Sequence, residues 1–410
     1  MPMSNIAIIA EYNPFHNGHK YLVDYAKEVL CADTVTALMS GNFMQRGTPA
    51  LADKYTRAEA ALRGGVSIVF ELPVLYATGS ARDFAAGAVS ILDKLNSVDG
   101  LIFGVEDERM DIFDKVSEIL AYEPSEYKIL LNNYLEKGYS YPLASEKAIV
   151  KMLGNEVDGI ISKPNNILAI SYITALKKNN SKIMPVMLKR MDEGYHSSSL
   201  SGNYSSATAI RKALSDSEDV RNFIPKACME VYADYLKKPL PDADWLTPFI
   251  MSRIIYDRNL GSEISFLHTT LDMTPELLNR LRKLPLPVKY VEITDYLKTK
   301  NLTMTRVSRV LLHMVLGITD ADRTRAYEEG FSEYVNLLAL DKKYSTQLKA
   351  ITDASDLTVI NKKSEFKPET DLGKRMWQID RLASDLYNQI IYDNTDVRLR
   401  SEKSSQVRTI

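Results

Sequence analysis

Cysteine is nearly absent: Cys31 and Cys228 are the only two in 410 residues. Two thiols so far apart offer no disulfide framework, no CxxC redox pair and no zinc knuckle, which fits a reduced compartment. Histidine is also sparse, five in the chain, so a histidine-rich metal site is excluded. No apolar run approaches the roughly 20 residues of a membrane helix. Met1 to Asn5 carries no basic stretch or cleavage signature, and the expectation is a cytoplasmic protein without a membrane partner. Charge of one sign is lacking too. Lys and Arg number 51 against 53 Asp and Glu, a net charge of -2. That balance excludes a uniformly basic nucleic-acid coat and leaves room for a local basic face. There is no Walker sequence, no GxGxxG, no paired carboxylates at catalytic spacing, no defensible Ser/His/Asp arrangement and no metal-ligand cluster. Chemistry in this chain must come from positioning and electrostatics.

What is present is alternation. Ile6 to Ala10 is a continuous apolar run suited to a strand buried on both faces. Tyr21, Leu22, Tyr25, Ala26 and Val29 follow at helical spacing. Strand signals at Thr34 to Met39, Ser67 to Phe70 and Leu101 to Phe103 alternate with helices at Tyr55 to Leu62 and around Ala85 to Leu92. This is the signature of a parallel sheet covered by helices, an α/β Rossmann-like domain. Ligands in such sheets sit beyond the carboxyl ends of the strands. Glu11 to His19, Ser40 to Thr48, Glu71 to Pro73 and Gly104 to Glu106 therefore share one rim. Residues 107–180 read as a helical insertion, and Ile183 to Leu188 as a strand rejoining the sheet. Glu193 to Tyr204 is a polar Ser/Gly-rich loop, and Ser205 or Ser206 caps the next helix. Beyond Ser215 amphipathic helices dominate. The expected division is a nucleotide-binding domain over 1–215, a mainly helical domain over 216–395 and a frayed tail over 396–410.

Two motifs carry the chemistry. His16-Asn17-Gly18-His19 stands where the first strand hands over to a helix. Unpaired N–H groups and the helix dipole attract phosphate there, and Gly18 lets a nucleotide approach the backbone. Ser205-Ser206-Ala207-Thr208-Ala209-Ile210-Arg211 is a hydroxyl-rich helix start followed by a cation. It can bind phosphate oxygens and neutralise charge on leaving pyrophosphate. Read alone, it is an ordinary N-cap and helix. Lys189-Arg190, at the end of the rejoining strand, would place Arg190 on the phosphate rim.

HxGH with a remote S-S-x-T-x-I-R helix start resembles the HIGH-type nucleotidyltransferase superfamily. The match to one branch is closer. Glu11 to His19, Met39 to Gly47, Glu71-Leu72-Pro73, Lys163 to Leu168, Ser205 to Arg211 and Thr305 to His313 look like the tRNA(Met) cytidine acetate ligase family. The resemblance implies activation of acetate by ATP to acetyl-adenylate, then acetyl transfer to N4 of the wobble cytidine of elongator tRNA(Met). Mg2+ would accompany the ATP. It implies catalytic roles for His16, His19 and Arg211. ATP contacts would map onto Ile9, Ala10, Glu11, Tyr12, Asn13, Pro14, Phe15, His16, Asn17, Gly18, His19, Lys20, Tyr21 and Leu22. Gly104, Asn165, Asn166, Arg190, Ser205, Ser206 and Thr208 complete that set. Gln45, Arg46 and Lys54 are candidates for acetate or tRNA, with the Gln45-to-Pro49 loop able to close over the adenylate. Lys298, Lys300, Arg306 and Arg309 are candidates for tRNA in the helical domain. Val105, Ala169 and Ser171 depart from the family pattern, which has Ser, Gly and Glu there. An alternative keeps the fold and makes the chain an adenylyltransferase of a small phosphate-containing cofactor precursor.

Overall fold

The computed structural model describes residues 3–190 and 204–410. Eight strands form one mixed sheet: β1 (Asn5–Ala10), β2 (Thr34–Ser40), β3 (Ile68–Leu72), β4 (Gly100–Val105), β5 (Met184–Lys189), β6 (Tyr334–Leu340), β7 (Thr358–Ile360) and β8 (Arg408–Thr409). Their order is β5-β4-β1-β2-β3-β6-β7, with β8 also paired to β6. The five N-terminal strands are mutually parallel, and β6 joins β3 antiparallel. Alternate residues of β1 feed opposite cores, Ile6 and Ile8 one and Ala7 the other. Strands buried on both faces need no polar alternation, which is why they read as plain apolar runs. The chain runs outward from β1 to β2 and β3, then crosses back to β4 on the other side of β1. That reversal opens a crevice at the carboxyl ends of β1 and β4, the usual seat for a nucleotide in such sheets.

Residues 107–180 hold the helices Met110–Tyr122, Ser125–Glu136, Tyr141–Leu153 and Pro164–Lys178. The last packs on Met110–Tyr122 and on Ala81–Lys94. The boundaries expected for the second part need correction. The helical stretch expected over 216–395 is interrupted: after Asp320–Glu328 the strands β6 and β7 re-enter the sheet. Tyr334–Leu340 is buried at every position.

The tail is not frayed. Arg408–Thr409 pairs with Ala339–Leu340, and Glu402 is buried. The Glu402 carboxylate meets Lys54 Nζ at 2.9 Å and Tyr55 Oη at 3.0 Å. A cavity of about 380 Å³ lies between this tail and the helix Lys54–Arg63. It contains neither motif histidine.

Candidate active site

The turn after β1 is shaped by its own histidines. His16 is extended (φ -139°, ψ 175°) and caps the helix Asn17–Asp24. Its Nδ1 accepts the Gly18 N–H at 3.0 Å, and its main-chain N–H donates to His19 Nδ1 at 3.3 Å. The rings stack with centroids 3.8 Å apart. Since both Nδ1 atoms accept, both imidazoles carry their proton on Nε2. Burial, reinforced by Arg190 and Arg211, pulls the His16 pKa down to about 3. Burial, then His16 and Arg190, holds His19 well below the ordinary histidine range. Near neutral pH the turn thus presents uncharged N–H donors, while positive charge comes from the arginines and the helix N-terminus.

This arrangement predicts ring ¹H–¹⁵N spectra of the free protein in which both histidines stay neutral Nε2–H tautomers from about pH 8 down to about pH 5. A motif ring titrating near its ordinary value would remove the assignment. The folded pKa values lie below the unfolded one, so protonation favours the unfolded chain. Stability contributed by these rings is therefore lost as pH falls below about 6.5.

The remote hydroxyl-and-guanidinium helix meets this turn. Ser206 caps Ala207–Ser215 by accepting the Ala209 N–H at 3.1 Å. Arg211 Nη1 donates to the Asn13 carbonyl at 2.6 Å, and its Nη2 to Thr208 Oγ1 at 3.3 Å. Asn17 donates to the carbonyls of Phe223 and Asn222, at 2.9 Å from its main chain and 2.8 Å from its side chain. Phe15 N–H reaches Tyr232 Oη at 3.1 Å. On the β4 side, a Cβ on Gly104 would meet Arg190 Cγ at 3.1 Å, so Gly104 keeps room for that arginine. Arg190 Nη1 lies 3.4 Å from Asn165 Oδ1, and Asn165 Nδ2 donates to Glu106 Oε1 at 2.9 Å.

His16, Gly18, His19, Tyr21, Leu22, Gly104, Arg190 and Ser205 line one cleft, together with Leu188, Lys189 and Tyr204. Leu188 and Tyr204 were not singled out in the sequence, and Lys189 only as the neighbour of Arg190. Other candidates stand behind the cleft. Ala10, Tyr12, Asn13, Pro14 and Phe15 are buried and Ile9 nearly so. Tyr12 meets His19 in a T-shaped contact with ring centroids 4.9 Å apart, and Asn13 Oδ1 accepts the Leu51 N–H at 2.8 Å. Lys20 pairs with Asp24 at 2.5 Å. Asn166 is fully buried. It accepts the Glu106 N–H and gives both amide hydrogens to Asp107 and the Ile160 carbonyl. With its polar valences used inside the protein, Asn166 holds the β4 turn rather than offering itself to a nucleotide.

Three expectations need correction. Lys54, a candidate for acetate or tRNA, is buried with its ammonium on Glu71 and Glu402. Burial alone would lower its pKa, but the two carboxylates overcome this and hold it well above the usual range. The Gln45-to-Pro49 loop is not poised to close. Gln45 N–H is fixed by Glu11 Oε1 at 2.7 Å, Ala50 N–H by the Asn42 carbonyl at 2.9 Å, and the Ala50 carbonyl by Tyr387 Oη at 3.0 Å. Arg46 sits in this fastened loop, half-buried. The four basic candidates also do not share one open face. Lys298 and Lys300 are exposed, with Lys298 paired to Asp295 at 2.6 Å. Arg306 and Arg309 are half-buried, and burial holds Arg309 below the usual arginine range. The Glu193-to-Asn203 part of the expected polar loop lies outside the described residues.

Sequence reasoning missed Arg57. Its guanidinium is completely buried and donates to the carbonyls of Ala52, Glu11, Ser40 and Gly41. The Glu11, Ser40 and Gly41 carbonyls lie at the ends of β1 and β2, where strand pairing has run out, so Arg57 satisfies what the sheet leaves open. The available signal was an arginine on the same helical stripe as Ala58 and Ala61. Val105 and Ala169 are buried in the core, and Ser171 donates to the Ile167 carbonyl of its own helix at 2.7 Å.

A parallel sheet carrying HxGH at its first strand-to-helix turn, met by a hydroxyl-and-guanidinium helix, defines a nucleotidyltransferase of the HIGH type. The sequence model of the family described as HIGH Nucleotidyl Transferase matches residues 3–403. A tRNA(Met) cytidine acetate ligase of Thermoanaerobacter sp. (strain X514) is 36% identical over 400 residues, 96% of this chain and 97% of that one. The solved structure of Thermotoga maritima TmcAL, apo form I, superposes with a TM-score of 0.92 at 28% identity, covering 100% of both chains. The same protein bound with alpha-thio ATP gives 0.90 at 28% identity, again over 100% of both chains. The chain belongs to the tRNA(Met) cytidine acetate ligase family.

Proposed function

We propose that this enzyme activates acetate with ATP to acetyl-adenylate and passes the acetyl group to N4 of the wobble cytidine in elongator tRNA(Met), forming N4-acetylcytidine. The meeting of the HxGH turn with Arg211 and the Ser205–Thr208 hydroxyls carries this reading. His16, Gly18, His19, Arg190 and Ser205 line the cleft, and Arg211 is tied to the turn through the Asn13 carbonyl. An acetate oxygen attacks the α-phosphorus, and pyrophosphate leaves. The neutral Nε2–H groups of His16 and His19 and the guanidinium of Arg211 stabilise charge building on the phosphate oxygens. Arg190 adds positive potential from the β4 side. Magnesium enters on the triphosphate, held by its oxygens. The cytidine amine then attacks the acetyl carbon, AMP leaves, and one amine proton is lost. The 36% identity to an acetate ligase over 96% of the chain favours this over a cofactor adenylyltransferase.

Two assays test it. Pure protein should catalyse acetate-dependent exchange of labelled pyrophosphate into ATP. Mass spectrometry of tRNA(Met) incubated with ATP and acetate should show one added acetyl group on the wobble cytidine. Absence of both rejects the reading. Dinucleotide formed from ATP and nicotinate mononucleotide would favour the alternative.

A further inference from the structure

The cavity of about 380 Å³ beside the helix Lys54–Arg63 has its carboxylates engaged and its arginines not. Asp53, Glu59 and Glu402 line it. Glu402 meets Lys54 at 2.9 Å, Glu59 meets Arg63 at 3.1 Å, and Asp53 Oδ2 accepts the hydroxyls of Thr56 and Tyr235. Arg398, Arg400 and Arg408 line it as well, and all three are exposed. None of them forms an ion pair with a described residue. Arg398 lies over the Tyr392 ring, 4.7 Å from its centroid, and donates Nη2 to the Tyr392 hydroxyl at 3.2 Å.

The backbone holds these cations in place. Val397, Leu399 and Val407 pack against the core, and the arginines that follow each of them face outward. That is the period of two of an extended chain. Asn388 Nδ2 fixes the Arg400 carbonyl at 3.0 Å, and Arg408 pairs with Ala339 in the sheet.

Guanidinium groups on a fixed backbone suit phosphate, whose oxygens match their forked donors. One free phosphate would occupy one such fork, whereas three along one cavity suit a chain of phosphates. The tRNA of the reading above is such a chain, and Lys298, Lys300, Arg306 and Arg309 give it no single open face. The cavity is also near the chemistry. Asn42 and Asp53 line it, and between them in sequence Leu51 donates its N–H to Asn13 Oδ1 at 2.8 Å. One loop thus separates the cavity from the HxGH turn, and an RNA the size of a tRNA can contact both. We propose that Arg398, Arg400 and Arg408 form a docking surface for the phosphate backbone of the tRNA substrate. The proposal rests on the tRNA reading above.

Arg398→Gln, Arg400→Gln and Arg408→Gln are combined in one variant, and its binding to tRNA(Met) is measured over a range of salt. Each phosphate contact adds about 0.7 to 0.9 to the slope of log K against log salt, so the slope should become shallower by about 2 to 3. At about 0.1 M salt the affinity should fall by about 10-fold or more. The loss should be the same for a transcript with uridine at the wobble position, because phosphates carry no base information. Arg398→Lys, Arg400→Lys and Arg408→Lys together should keep the slope, since the charge remains. Acetate-dependent pyrophosphate exchange, which needs no tRNA, and Tm should stay at wild-type values, because the side chains are exposed. An unchanged slope and affinity overturns the proposal. So does a loss confined to the wobble-cytidine transcript, the mark of base reading. A fall in Tm and exchange together with binding overturns it too, since the arginines would then be structural. Failure of exchange in the wild type would instead overturn the reaction reading, and the salt slope would still decide this surface.

Discussion

His19→Ala is expected to lower acetate-dependent pyrophosphate exchange by about 10²- to 10³-fold, the usual loss when one preorganised donor to transition-state charge is removed. The reason lies in how the imidazole is held. The His16 main-chain N–H occupies His19 Nδ1, the His16 ring stacks on one face, and the Tyr12 ring stands T-shaped with its centroid 4.9 Å away. The Nε2–H is thus fixed before ATP arrives, and water cannot reproduce that preorganisation. Stability should change little by comparison. His19 is half-buried on the first turn of its helix, whereas His16 is the cap. His16→Ala should therefore lose activity and also about 1 kcal/mol of stability from the lost cap. Exchange rates, thermal melts and circular dichroism on both variants separate these effects. Full exchange activity in a folded His19→Ala protein would take His19 out of the mechanism.

The rim could be read from sequence because its parts announce themselves locally. Five parallel strands are short apolar runs, and the HxGH turn concentrates two of the five histidines in four positions. That Arg211 reaches the Asn13 carbonyl, across nearly two hundred residues of sequence, was legible only because the two motifs are recognised together. What local pattern hides is long-range pairing. Tyr334 to Leu340 is a seven-residue run whose Leu and Ala also suit a buried helix, and nothing near it shows that β3 waits as its antiparallel partner. Arg57 stands on the helix Lys54–Arg63 among Ala58, Ala60 and Ala61. Its partners are unpaired carbonyls, which no sequence pattern marks. Lys54 failed for a related reason: a lysine on the functional rim suggests substrate, but its counter-ions come from β3 and from the far end of the chain.

The tail misread most completely yields the second large effect. Glu402→Gln is expected to destabilise the protein by about 3–5 kcal/mol at neutral pH, as removing one member of a buried ion pair does. Glu402 is 4% exposed and lies between Lys54 Nζ at 2.9 Å and Lys363 Nζ at 3.7 Å. Burial on its own would raise the Glu402 pKa, but the two ammonium groups overcome this and hold it below the usual carboxylate range. A depressed folded pKa gives stability that is complete above the unfolded value, about 4.5, and is lost as pH falls through the folded one. The difference between wild type and Glu402→Gln in chemical denaturation should therefore be full at pH 7 and shrink in acid. Lys363 decides how the loss arises. If the penalty comes from stranding its ammonium, Lys363→Met in the Glu402→Gln background should recover part of the stability, because an uncharged side chain needs no counter-ion. A single-variant penalty below about 1 kcal/mol, the level of a surface pair, would mean that the tail merely lies against the sheet. A full penalty would make the last residues of the chain part of what holds Lys54, and through its main-chain bond to Asn42 at 2.9 Å, the loop that carries Gln45.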